Sequence, residues 1–532
     1  MTIVPALPRA SDRPSGGCRS FTGALLLAAS LLGSCGGESI PPYEGPYRHA
    51  LLVSIDTTRA DHFGCYGGTA VKTPHLDALA ADGVRFAQAM VTAPTTLASH
   101  TSMMTGNYPR QHGVVRNGFD VNPDNVMLAE VLSERGFHTA GFAGSFALDQ
   151  LFGFDQGFQH WDQEFSIEFD PELADQNQRP ANQVTDAALE YLADFDGSQR
   201  LFLFVHYFDV HSPYTPPEPF KSSYKIRFDS ATLGLIATQV VRHQEQILGE
   251  GRPVYYDGLN AELVRGADGT PMKGDTDIAA LYAGELAFVD QQIGRLFDGL
   301  RDKGILDECL VVVTADHGET FWEHGDFWHH GAWVYETNVH VPFLLYTPDG
   351  RGRGTVVERP VSSIDIFPTL LDLLEVPLPG AVAGVPLTPA IDGEEMPVRA
   401  LFTEATQPTR GLEDKFAWGN QLKTKAVRKG RYKLIQAPYL RLEEFYDLKT
   451  DPGERTNLLL EPTPQIQQRY AALRGELDAW RAVETPLPSK FNSRQMEGVM
   501  KRLAELGYTG EVPLMPNQGQ GAPDGPDGAD GR

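Results

Sequence analysis

The sequence predicts an α/β protein, a mainly parallel sheet flanked by helices with a smaller α+β subdomain after it, and three observations carry this. Apolar runs rich in Val, Leu and Phe alternate with segments of helical periodicity. The runs are continuous rather than alternating, as strands covered on both faces require. Several end in Asp or His, beyond the carboxyl ends of strands where α/β sheets bind ligands. With 532 residues, 41% hydrophobic and 22% charged, the chain suffices for one large domain and a small one.

The N-terminus reads as a targeting segment. Arg9, Arg13 and Arg19 precede an apolar run, Phe21 to Leu32, too short to span a bilayer comfortably but suited to a signal-peptide core. It ends in "LLGSCGG", where Leu32, Gly33 and Ser34 before Cys35 resemble a bacterial lipobox; an ordinary small-residue cleavage site is the alternative. Residues 1–34 are thus expected to be removed and 35–47 to form a linker. The mature protein is expected to be exported, periplasmic or at the cell surface, and held to the membrane by lipid on Cys35. Only Cys65 and Cys309 then remain, as buried free thiols rather than a disulfide framework.

His49 to Ile55, Leu201 to His206, Leu310 to Thr314 and Val341 to Tyr346 read as buried strands. "APTTLASHTSMMTG", Ala93 to Gly106, reads as a helix with paired threonines at its start and glycine at its end; Thr95 is the better cap candidate. Ile278, Leu281, Leu286, Val289, Ile293, Leu296 and Leu300 share a face of a helix running to about Asp302, and Ile364 to Leu374 is a second amphipathic case. Residues 215–276 interrupt the core with mixed polar sequence, including the basic stretch Lys221 to Arg227. The catalytic domain is placed at 48–397. A subdomain at 398–512 contains "YKLI" and "EEFYDL" as antiparallel strands and an apolar-periodic helix, Ser493 to Leu506, stopped by Gly507. The Gly/Pro/Asp-rich residues 513–532 are expected to be disordered.

A formal net charge of −25 opposes binding to nucleic acid, which needs clustered Lys and Arg. It does not oppose a small anionic substrate, because a metal or helix end can reverse the local field. Asp56 follows the first strand, His206, Asp209 and His211 gather at the end of the second, and Asp316 and His317 follow the third. One Asp after a strand is ordinarily a turn or cap residue. Three such ends with oxygen and imidazole together suit a divalent cation.

The blocks "VSIDTTRADHFGCYG", "TPHLDALAADGVRFAQA", "TLASHTSMMTGNYPRQHGV", "FVHYFDVHSPY", "TADHGETFWEHGDFWHHGAWVYETNVHVPFLL" and "AVRKGRYKLI" followed by "EFYDLKTDPGERTNL" resemble, in order, the sulfatase family of the alkaline phosphatase superfamily. The resemblance runs from about Arg48 to about Tyr508 and implies that family's fold. The family signature opens with a Cys or Ser that becomes formylglycine and closes nine residues later at a T-G pair. Counting back from Thr105 puts Thr96 at the nucleophile position.

Threonine cannot become formylglycine, and its ester must be cleaved by a second attack at phosphorus or sulfur. Threonine nucleophiles in the superfamily belong to phosphodiesterases, phosphonate hydrolases and phospho-alcohol transferases. The resemblance therefore implies a metal set of Asp56, Asp316 and His317 with the Thr96 oxygen. The mixed oxygen and nitrogen donors favour Mn²⁺ or Zn²⁺, with Ca²⁺ or Mg²⁺ as alternatives. His211 and His330 match positions that contact the transferred group or leaving oxygen and stand as catalytic candidates. His100 (where the family has Arg), His206 and Asp209 stand as substrate-binding candidates; Asp209, His211 and His330 could instead hold a second metal. His206 has the alternative of lying inside its strand, and His324 of bracing its loop. Thr57 replaces a second metal-binding Asp, and "GSFA", Gly144 to Ala147, lacks the Lys and His that grip sulfate.

The expected activity is hydrolysis of a phosphate or sulfate ester through Thr96, phosphodiester or phosphonate chemistry first, on a small-molecule, glycan or lipid ester. The alternatives are a true sulfuric ester hydrolase, a phospho-alcohol transferase, or an inactive binding protein on the same fold. The sequence leaves the oligomeric state open.

Overall fold

The computed structural model describes residues 44–164, 179–212, 214–223, 274–321, 323–325, 330–406, 423–438, 441–483 and 487–489. The signal segment, the Cys35 region, most of the 215–276 insertion, His329, the helix expected at Ser493 to Leu506 and the tail lie outside them.

Among the described residues the main sheet has nine strands: β1 (His49–Ile55), β2 (Val84–Met90), β3 (Phe137–Phe142), β4 (His160–Asp162), β5 (Arg200–Tyr207), β6 (Cys309–Ala315), β7 (His340–Val341), β8 (Phe343–Tyr346) and β9 (Thr355–Ser362). Their order is β4-β3-β5-β1-β6-β8-β2-β7, with β9 on β2. β1 lies between β5 and β6, parallel to both, with Ile55 opposite Tyr207 and Ala315. That register brings the carboxyl ends of three strands level, so the residues that follow them converge.

All seven residues of β1 are buried, because the sheet is covered on both sides. Leu52 belongs to one core cluster, with residues of helices Thr96–Thr105, Leu128–Glu134 and Ile366–Leu373. Leu51 and Val53 belong to another, with helices Pro74–Asp82, Ala181–Asp194 and Gly274–Asp302. Successive strand side chains point to opposite faces, so one apolar strand feeds two cores. The expected strand at Val341 to Tyr346 differs in two ways. Pro342, which cannot donate to a ladder, divides it into β7 and β8, and β8 runs antiparallel to β6. Cys309 is buried and Cys65 only half-buried, both as free thiols.

A second sheet, β10 (Ala400–Glu404), β11 (Lys425–Lys429), β12 (Tyr432–Ala437) and β13 (Leu442–Asp447), is antiparallel throughout. Leu473 and Leu477 of helix Pro464–Ala482 close its small core against Val427, Leu434 and Phe445. Glu404 N–H donates to Thr92 O, fastening this sheet to the segment that enters helix Thr96–Thr105.

Candidate active site

Helix Thr96–Thr105 is polar in sequence yet buried at every position. Three of its hydroxyls are satisfied inside the helix: Thr101, Ser102 and Thr105 donate to the carbonyls of Leu97, Ala98 and Thr101, four residues back. Gly106 ends it at φ +69, its N–H on Ser102 O, a left-handed turn that glycine adopts without penalty. Thr95 occupies the cap position, but its side chain makes no capping bond and its Oγ1 is buried without a partner. The capping role expected of Thr95 falls to Asn117, whose Oδ1 accepts Leu97 N–H at 2.7 Å. Thr96 is therefore the first helical residue, fully buried at the N-terminal, electropositive end.

Asp56 follows β1 and Asp316 follows β6, both with 0% exposure. Ser99 Oγ donates to Asp316 O at 2.6 Å, tying helix Thr96–Thr105 to the end of β6. Asp316 Oδ1 accepts from Thr57 N at 3.2 Å and His317 N at 2.8 Å, which leaves Oδ2 unpaired. Both Asp56 oxygens are unpaired as well. Burial pushes the Asp56 carboxyl up to about 7, partly offset by His317 and by the Thr96 side chain. Burial works against a charged His317, but Asp316 and Asp56 outweigh it and raise its pKa.

The histidines divide by what their ring nitrogens do. His317 donates from Nδ1 to Gly318 O at 3.0 Å, which turns Nε2 toward Asp316 Oδ2 at 3.5 Å and Asp56 Oδ1 at 3.7 Å, where a metal would displace the proton those carboxylates favour. This is how a metal-ligating histidine is oriented from behind. His100 donates from Nδ1 to Thr96 O and accepts Ser54 Oγ–H at Nε2, so both nitrogens serve the scaffold. His206 lies inside β5. Its Nδ1 accepts Gly144 N–H at 3.3 Å, which places the proton on Nε2, 3.4 Å from Asp56 Oδ2. Burial lowers His100 to about 3 and His206 to about 4. Both thus stand neutral behind the carboxylates.

Among the described residues, two groups bring ligand atoms within 4.8 Å of one another: Asp56, Asp316 and His317, and His100, His206 and Asp316. The tautomers favour the first. Its four unpaired atoms are buried polar groups, each costing about 1–3 kcal/mol if left unsatisfied. A divalent cation would satisfy them together, and two carboxylates with an imidazole fit Mn²⁺ or Zn²⁺ in donor type, with Ca²⁺ or Mg²⁺ as the alternatives.

The remaining expected residues separate. The His330 ring lies 4.5 Å from that of His317 and 5.1 Å from that of His211. His211 stacks on Phe208 with Nδ1 on Ser212 O, and burial first, then His330, lowers it to about 3. Asp209 serves elsewhere: its Oδ2 accepts Ala181 N–H at 2.5 Å at the start of helix Ala181–Asp194. His324 stacks on Tyr335 at 3.7 Å, bracing its loop. In "GSFA", Ser145 caps the turn Phe146–Leu148.

Two residues enter that the sequence reading did not single out. Glu319, 1% exposed, sets both carboxylate oxygens 3.3 Å from His330 Nδ1 and receives Tyr214 OH at 3.4 Å. Asn117 holds the helix start through Oδ1 while its Nδ2 is buried without a partner. Glu319 stands three residues after Asp316 in the block that begins "TADHGE"; Asn117 lies twenty residues from Leu97 in an irregular loop with no local signal.

A family model described as Sulfatase matches residues 48–376, and one described as N-sulphoglucosamine sulphohydrolase, C-terminal, matches 322–482. An arylsulfatase of Clostridium perfringens is 26% identical over 472 residues, 77% of this chain and 89% of its own length. An N-acetylglucosamine-6-O-sulfatase of Bacteroides thetaiotaomicron is 24% identical, over 82% of this chain and 86% of its own. The fold matches a phosphonate monoester hydrolase of Agrobacterium radiobacter with a TM-score of 0.62 at 22% identity, covering 82% of this chain and 96% of that one. A structure holding D-glucosamine-2-N,6-O-disulfate matches with the same score at 20% identity, covering 82% and 98%. With the Sulfatase model spanning well over half its length, the chain belongs to the sulfatase family of ester hydrolases, on an alkaline phosphatase-like fold.

Proposed function

We propose that the chain is an exported, lipid-anchored, metal-dependent hydrolase that cleaves its ester through Thr96, with phosphodiesters and phosphonates ahead of sulfate esters. The observation that carries the reading is the set of unpaired, buried Asp56, Asp316 and His317 atoms beside the start of the Thr96 helix. A divalent cation held by these residues with the Thr96 oxygen favours the ionised hydroxyl and offsets charge gathering on the transferred group. Thr96 Oγ1 attacks phosphorus or sulfur, and Asn117 Nδ2 donates to a non-bridging oxygen of that group. Glu319 supports the protonated His330, which gives its proton to the leaving oxygen. Water then cleaves the threonine ester, and His330 takes the water's proton, restoring the site.

The preference for phosphorus rests on the nucleophile and on the pocket. A threonine ester lacks the elimination route open to a formylglycine hydrate, and Ser145 and Ala147 stand where Lys and His would grip sulfate. Sulfate ester hydrolysis is the second reading, favoured by the names of the curated relatives. Matched phosphodiester, phosphonate, phosphomonoester and sulfate esters of one alcohol, assayed after reloading with Mn²⁺, Zn²⁺, Ca²⁺ or Mg²⁺, test it. Phosphodiester or phosphonate turnover should lead. Sulfate turnover in the lead would move the assignment to the second reading.

Anchoring rests on "LLGSCGG", since among the described residues no helix is long and apolar enough to cross a membrane. Release of a correctly processed Cys35→Ser protein from membranes is the expected result.

A further inference from the structure

Leu487–Ser489, beyond helix Pro464–Ala482, lies across the loop that carries Asn117. Leu487 N–H donates to Gln111 O at 2.9 Å, Asn122 Nδ2 to Pro488 O at 2.6 Å, and Ser489 Oγ to Asp120 O at 2.5 Å. Upstream, Arg110 lies 4.0 Å over the Trp480 ring and donates to Trp480 O at 2.6 Å. The fit is close at Gly113. Its φ is +87, and a Cβ there would stand 2.2 Å from Leu487 O, so the strand of chain requires glycine beneath it.

These contacts bracket a stretch with little regular structure of its own. Between helix Pro109–His112 and helix Leu128–Glu134 the backbone makes turns and irregular loop, and Asn117 sits in the middle of it. Asn117 Oδ1 in turn fixes Leu97 N–H, next to Thr96. We propose that Leu487–Ser489 is a positioning strap that sets Asn117, and through it the start of the Thr96 helix, for the reaction. The proposal rests on the reading of Asn117 as a donor to the transferred group. The strap touches no reacting atom; it acts by holding the loop just past Asn117, where the Ser489 and Asn122 side chains fasten it at Asp120 and Asn122.

A double-mutant cycle on the full-length, metal-loaded enzyme tests this. The strap variant Asn122→Ala with Ser489→Ala should lower kcat by about tenfold and change KM by less than about twofold, the pattern of lost alignment rather than lost binding. Asn117→Ala should lower kcat by itself. In the Asn117→Ala background the strap variant should bring no further loss, because the two act through one group. Equal losses with and without Asn117 would overturn the strap proposal. An unchanged kcat in Asn117→Ala would instead overturn the reading of Asn117. Should the strap variant fail to fold, Ser489→Ala alone keeps the other contacts, and Ser489→Thr, which retains the hydroxyl, should recover the rate; failure of Ser489→Ala to lower kcat would then contradict the proposal.

Discussion

His317 Nε2 stands 3.5 Å from Asp316 Oδ2, both fully buried, and neither atom has a hydrogen-bond partner. With Nδ1 donating to Gly318 O, Nε2 is turned to the carboxylates of Asp316 and Asp56, whose charge raises the His317 pKa and favours a proton there; a bound cation would take that proton's place. The carboxylates therefore call for positive charge beside them, which a proton on His317 or a bound cation supplies.

Asp56→Ala and Asp316→Ala should each lose the bound metal, because one carboxylate removed from so small a donor set takes both charge and geometry with it. Elemental analysis of the purified variants checks this. Full occupancy in both would remove the proposed site.

Glu319→Gln should keep metal content and slow cleavage of esters with poor leaving groups by about 10- to 100-fold, the lower part of the range for general acid catalysis. Esters with good leaving groups, which need little protonation, should lose far less. Equal losses on both kinds of substrate would place Glu319 and His330 outside the proton transfer.

Asp209 is raised to about 6 by burial; burial also raises Glu285, and the Asp209 charge adds to that rise. The unfolded chain gives up this proton near the ordinary carboxyl value. Stability is thus fully present below that value and declines as pH rises through about 6. Asp209→Asn keeps an acceptor for Ala181 N–H and removes the charge, so it should raise Tm at pH 8 and converge with the wild type near pH 4. A loss of Tm at pH 8 that vanishes near pH 4 would show instead that ionised Asp209 stabilises the helix start.

Legibility in the sequence followed the strength of local signals. β1, β5 and β6 were readable because unbroken apolar runs have few other fates, and their Asp and His followers were placed together once parallel register was assumed. The antiparallel turn of β8 was not readable, since apolar runs carry no direction. The capping of Thr96's helix was misassigned to Thr95 because base rates favour the nearest hydroxyl, whereas Asn117 reaches the same N–H across a loop. Asp209 looked like its histidine neighbours in "FDVHSPY", yet its carboxylate meets a helix start instead. The tautomers that separate His317 from His100 and His206 depend on backbone groups distant in sequence, such as Gly144 N–H, and no motif encodes them.

In the proposed cleavage Thr96 attacks the substrate. Thr96→Ala replaces a modest helix former with the best one, so the fold and the remaining metal ligands should persist. Thr95→Ala, which removes an unpaired hydroxyl, should retain most activity. The most direct measurement is mass spectrometry of the enzyme quenched during turnover of a slow phosphodiester or sulfate ester. A phosphorylated or sulfated Thr96, absent from an inactive Thr96→Ala protein, is the result expected. Near-wild-type turnover by metal-loaded Thr96→Ala, with no adduct on the wild-type residue, would contradict it and leave Thr96 as a helix-start residue only.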